Sequence, residues 1–158
     1  ISEDGDVTQP MEKSYREFVA SSFGVSHYRQ FFHVLLSLNE GSVLFHCADG
    51  KDRAGIAAAL ILLALGVSKE DVIYDYLKTN EYTNQKALNR EDYLRNEAKI
   101  TNEKVIQSVK MLAGVKENWL LAALDEIDKT YQGIDNYLHH QMELSDDDLQ
   151  KLRDKFLD

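Results

Sequence analysis

A single cysteine, Cys47, and a single proline, Pro10, stand in a chain of 158 residues. One thiol cannot form an intrachain disulfide framework, nor can it supply a Cys-x-x-Cys zinc site. It is left with the part of a buried hydrophobe or that of a reactive thiol. The scarcity of proline, with only 8 glycines, removes most helix breakers and points to a helix-rich chain. Positive charge is also short. Against 27 Asp and Glu stand 18 Lys and Arg, a formal net charge of −9. That excludes general nucleic-acid binding and broad adhesion to anionic membranes. A small basic pocket remains compatible, because a local field can oppose the global one. The longest apolar run, Ile56 to Leu65, falls short of the roughly 20 residues of a membrane span. No signal peptide is visible. The first residue is Ile1, not Met, so a segment upstream is expected. The N-terminus is uninformative about location, with cytoplasm favoured over secretion.

A hydrophobic fraction of 44% and a charged fraction of 28% fit one globular domain with a real core. Residues 1–13 are acidic and polar and read as a lead-in loop. From Ser14 to Leu38 the apolar residues follow helical spacing, with Gly24 as the expected break between two helices. Tyr15, Phe18, Phe23, Tyr28, Phe31 and Phe32 on this stretch read as core. Asn39-Glu40-Gly41 is a stop signal. Ser42 to His46 is short and apolar and suits a fully buried strand. A loop bounded by glycines follows, and Ile56 to Leu65 should be a buried helix ended by Gly66. Ser68 reads as the N-cap of a helix over residues 71–79. Residues 82–100 are polar and helical in pattern, and residues 102–112 repeat an amphipathic one. Residues 117–131 form another helix, with Trp119, Leu120, Ala123, Leu124 and Ile127 on one side. Ser145 with three following aspartates is an N-cap for a last helix.

One strand cannot satisfy its own backbone groups. The reading therefore predicts that residues 1–158 are the C-terminal part of a single domain. A preceding segment or a second chain would complete the sheet.

The segment His46-Cys47-Ala48-Asp49-Gly50-Lys51-Asp52-Arg53-Ala54-Gly55 joins that strand to the apolar helix. A helix N-terminus presents unpaired N–H groups and partial positive charge, which is an anion site. Concave loops of N–H groups act alike. A cysteine at the mouth of such a loop loses its proton readily. Arg53, six positions on, offers a planar fork for two phosphate oxygens. Thiolate and guanidinium facing one cradle are what in-line attack on a phosphate monoester requires. No metal or other cofactor is called for.

This Cys-x5-Arg loop resembles the protein-tyrosine phosphatase superfamily. The form His-Cys-x-x-Gly-Lys-Asp-Arg-x-Gly resembles a mostly microbial branch acting on phosphotyrosine, phosphoserine or phosphothreonine, and phosphoinositides. Residues 75–82 and the run from Trp119 to Leu157 are similar to its later helices. The resemblance implies an α/β fold, a parallel-containing sheet flanked by helices, with this chain mostly α-helical and lacking the N-terminal strands. The phosphate loop would be residues 46–55 and the helical region residues 56–158. It implies a phosphatase working through a cysteinyl-phosphate intermediate on phosphorylated proteins, with inorganic phosphate as product. The alternatives are a phospholipid head-group phosphatase, a silent phosphate-binding module and a sulfurtransferase.

Cys47 and Arg53 are the expected nucleophile and phosphate clamp. Asp52 is the expected general acid, which the branch places just before its arginine. A carboxylate is also favoured at a helix N-terminus on structural grounds. Asp4 and Asp6 are alternative acids, since many relatives outside the branch carry theirs upstream. Ala48, Asp49, Gly50, Lys51 and Ala54 are expected to line the substrate, with the Asp49 carboxylate facing outward. Lys51 either adds charge for multiply phosphorylated head groups or is an ordinary solvated side chain. His46 is expected to order the loop through hydrogen bonds. Many superfamily members carry a hydroxyl at position 54 to assist the second step. Ala54 lacks it. Tyr76, Tyr82, Tyr93, Arg90 and Arg95 read as helix surface, or as a substrate wall.

Overall fold

The computed structural model describes residues 6–157. Nine α-helices succeed one another among them: α1 Thr8–Ala20, α2 Ser22–Ser37, α3 Arg53–Ala64, α4 Lys69–Leu77, α5 Thr79–Asp92, α6 Glu103–Met111, α7 Glu117–Tyr131, α8 Ile134–Asn136 and α9 Asp146–Phe156. A π-helical turn, Tyr93–Glu97, extends α5, and another, Tyr137–Gln141, extends α8.

Of the lead-in expected over residues 1–13, the described part is helical from Thr8 onward instead, and residues 1–5 lie outside the described residues. Asp6 Oδ1 accepts the Thr8 N–H at 2.8 Å, and Pro10 sits in the first turn of α1, where its missing N–H costs no helical bond. The break between α1 and α2 falls at Ser21, not at Gly24. Ser21 is extended and its hydroxyl accepts the Gly24 N–H. Gly24 lies inside the first turn of α2, where a Cβ would meet the Phe18 carbonyl oxygen at 1.9 Å. Its role is close approach of two backbones, which the sequence shows only as a breaker. The other helix signals hold. Ser68 caps α4 at the Asp71 N–H, and Ser145 forms a capping box with Asp148.

α1 packs along α7 in the most extensive helix pair of the structure. Tyr15 and Val19 meet Trp119, Leu120 and Ile127 there, all fully buried. Phe32 and Leu35 of α2 and Ile56 and Leu60 of α3 continue the same core. Burial of each such side chain contributes about 1.5–3 kcal/mol. α5 is the exception, because it has no buried residue. It leans on α6 and ties to it through Glu91, whose carboxylate accepts from Lys110 at 2.7 Å and from Arg95.

Residues 42–47 carry no regular secondary structure, and no strand pairing occurs among the described residues. Val43 and Phe45 pack on the core, while Leu44 is 92% exposed. The expected fully buried strand is therefore one-sided here. The described residues contain no strand, so the expected parallel-containing sheet is not seen among them. Among the described residues no helix is long and apolar enough to cross a membrane.

Candidate functional site

The run 42–47 delivers Cys47 to the base of α3, and the loop after it turns back on itself. Gly50 has φ of +72°, a conformation open to glycine at little cost. That turn aims the N–H groups of Asp49, Gly50, Asp52 and Ala54 at the Cys47 sulfur. Partial burial pushes the thiol up, but these four amides outweigh it and hold it below the ordinary cysteine range. The loop thus builds an amide cradle at a helix N-terminus. Arg53 begins α3 and is exposed. Its carbonyl accepts the buried Tyr28 hydroxyl at 3.1 Å, which fixes the start of the helix.

Above the cradle lies a cleft of about 660 Å³. Cys47, Ala48, Asp49, Asp52 and Arg53 form its floor and rim. The facing wall comes from Phe18 of α1 and Phe23, Gly24, His27 and Tyr28 of α2. Phe23 is 72% exposed and stands against the His27 ring at 4.1 Å between centroids. The expectation that these aromatics serve only the core is corrected. Phe18, Phe23 and Tyr28 also wall the cleft, because α1 and α2 meet beside the loop.

Asp52 is half-buried and lies under the cleft. Its Oδ1 accepts from the Tyr15 hydroxyl at 2.8 Å and from Lys51 at 2.9 Å, and its Oδ2 from Lys51 at 2.8 Å. Tyr15 and Tyr76 share a 2.6 Å hydroxyl contact behind it. Burial first, then the neighbouring Tyr76 hydroxyl and the Asp52 charge, raise Tyr15 far above the ordinary phenol range, so both partners stay neutral donors. Lys51 is neither solvated nor in the cleft. Its side chain is 4% exposed, paired to Asp52, with Nζ 5.9 Å from the Trp119 ring centroid. The sequence reading missed this network. Nothing in the local sequence signals it, because the partners Trp119 and Tyr15 come from distant helices.

The remaining expected residues divide. Gly50 and Ala54 face a second cavity of about 270 Å³ on the far side of the loop, shared with Phe45 and Tyr76. They reach the cradle through their N–H groups alone. His46 is exposed, with Nδ1 3.1 Å from the Cys47 carbonyl oxygen. Asp49 stands at the cleft rim with its carboxylate turned to α5, 2.6 Å from Lys86 and 3.5 Å from Arg90. The hydrogen bond from Lys86 holds it below the usual carboxylate range. Asp6 does not line the cleft. Asp4 lies outside the described residues. Tyr76 is buried, Arg95 is spent on Glu91 and Glu103, and Tyr82 and Tyr93 are exposed. No group of three or more His, Cys, Asp and Glu side chains forms a metal cluster among the described residues.

The site thus brings together a thiol, an amide cradle and an arginine at the start of a buried helix. The model of the tyrosine phosphatase family matches residues 1–158. The chain belongs to that family. It is 35% identical over 136 residues to a protein of Cupriavidus necator assigned to the tyrosine-protein phosphatases, covering 82% of this chain and 45% of that one. It is 31% identical over 138 residues to the triple specificity protein phosphatase PtpB of Mycobacterium tuberculosis, covering 83% of this chain and 49% of that one. A tyrosine-protein phosphatase of Nostoc commune is 40% identical over 55 residues, 35% of this chain and 19% of that one. The chain spans about half the length of the first two relatives.

Proposed function

We propose that this chain carries the reaction centre of a phosphatase that hydrolyses aryl phosphate monoesters, foremost phosphotyrosine in proteins, through a cysteinyl-phosphate. The observation that carries the reading is the convergence of four backbone N–H groups on Cys47, with Arg53 on the same cleft floor. Cys47 thiolate attacks phosphorus in line. The S–P bond forms as the P–O bond to the leaving group breaks. Arg53 and the amides of the loop hold the three equatorial oxygens. Asp52, on the cleft floor beside the cradle, is the residue assigned to deliver a proton to the leaving oxygen. Lys51 and Tyr15 set the direction of its carboxyl group through their hydrogen bonds. Water then attacks phosphorus, the S–P bond breaks, and inorganic phosphate leaves with the thiolate restored. Ala54 supplies no hydroxyl to that second step, so the step is slow. The apolar wall of Phe18, Phe23 and Tyr28 suits an aryl ring better than a polyol.

The domain reading belongs with this proposal. Residues 1–158 act as the C-terminal part of one phosphatase domain whose remaining strands pair with the one-sided run 42–47 in a parallel-containing sheet. Support comes from the exposed Leu44 and from the length of the relatives.

The test is hydrolysis of para-nitrophenyl phosphate by the full-length protein and by Cys47→Ser. Turnover by the first and none by the second is expected. An inert wild type, or an equally active variant, overturns the reading.

A further inference from the structure

Beyond the Lys51–Asp52 pair, the loop makes a charged contact to another helix at Asp49. Two cations of α5, Lys86 and Arg90, converge on this single carboxylate. The cluster carries a net charge of one positive unit in a molecule whose formal charge is −9. Asp49 is also part of the cleft rim, so the cations stand beside the space that a substrate in the cradle would fill. Tyr82, Lys86 and Arg90 follow one another at four-residue spacing, with Tyr93 three further on. They share one face of α5. Tyr82 is 84% and Tyr93 60% exposed, so the face that meets the loop is open to solvent beyond the ion pairs. The nearby Glu91 does not neutralise it, since its oxygens are committed to Arg95 and Lys110.

We propose that Lys86 and Arg90 form a second anion subsite. It recognises a phosphate or carboxylate on the same peptide as the phosphotyrosine held over Cys47, with Asp49 occupying it in the free protein. The proposal rests on the phosphatase reading above and names the peptide class that site takes. An incoming dianion has more charge than the Asp49 carboxylate and accepts from both cations at once. Asp49 is a built-in competitor, and its removal should strengthen the subsite. A peptide is the occupant that charge favours. The cleft wall accepts an aryl ring, and a peptide approaches only this rim. A phosphoinositide in an anionic membrane would bring the whole negative molecule against a negative surface.

The test compares kcat/KM of the full-length protein for two synthetic peptides of neutral flank. One carries phosphotyrosine alone, and the other carries phosphotyrosine with a phosphothreonine two residues away. Wild type is expected to prefer the second at low salt, with the preference shrinking as ionic strength rises. Lys86→Gln with Arg90→Gln should lower the ratio of the two values about ten-fold. Asp49→Asn should raise it, so variants on opposite sides of the contact move the ratio in opposite directions. An unchanged ratio in both overturns the proposal. So does a loss seen only on a short-chain phosphoinositide, which would assign the cations to a lipid head group. Failure of wild type on para-nitrophenyl phosphate is a separate result that would instead remove the phosphatase reading.

Discussion

Cys47 shows two opposed forces at one atom. Burial disfavours the thiolate and four amide donors favour it, and the donors win. The ordinary thiol ionises at ~8.5, so a lowered value means that thiolate persists as pH falls below that point. The rate of Cys47 alkylation by iodoacetamide should therefore inflect below the ordinary range, and inorganic phosphate should protect the residue. An inflection at the ordinary value would contradict the cradle. Asp52 is expected to matter according to the leaving group. Asp52→Asn should cost roughly 10²-fold on a phenyl phosphate and much less on para-nitrophenyl phosphate, whose phenolate leaves without help. Equal loss on both would reduce Asp52 to a structural carboxylate. The sequence reading puts Cys47, Asp52 and Arg53 on one loop, and in the structure all three line one cleft. The burial of Lys51 was not legible, since the choice of which charged neighbour turns inward depends on Trp119 and Tyr15, which approach from α7 and α1.

Helices with capping residues and periodic apolar faces were readable from the chain, as at α4, α7 and α9. The junction of α1 and α2 was not. Gly24 reads as a breaker in sequence, and only the approach of the Phe18 carbonyl explains why it is glycine. Gly24→Ala should push the two helices apart, with a loss of about 1–3 kcal/mol in denaturant unfolding. Because Phe18 and Gly24 also wall the cleft, KM for an aryl phosphate should rise as well. A variant of unchanged stability and KM would contradict the close packing. At the other end of the chain, Ser145→Ala removes the acceptor of the Asp148 N–H and should cost about 1 kcal/mol. It lies away from the cleft and should leave kinetics alone.

Taken whole, the molecule is a helical layer with one irregular run laid against it. The sequence reading expects a strand that needs partners; in the structure residues 42–47 are unpaired among the described residues, with Leu44 exposed beside the packed Val43 and Phe45. Which chain segment supplies the partners is not written in these residues, because strand pairing is a relation between two sequences. In the full-length protein, the amides of residues 43–46 should be protected from hydrogen exchange to a degree matching a sheet. Exchange at unprotected rates would contradict the domain reading. The central claim concerns the sulfur and its product. In a rapid quench of the full-length protein with an aryl phosphate, the account predicts a stoichiometric burst of phenolate. It also predicts one phosphoryl group on Cys47 by mass spectrometry, accumulating because Ala54 leaves the second step slow. Phosphate release with no burst and no label on Cys47 would contradict it.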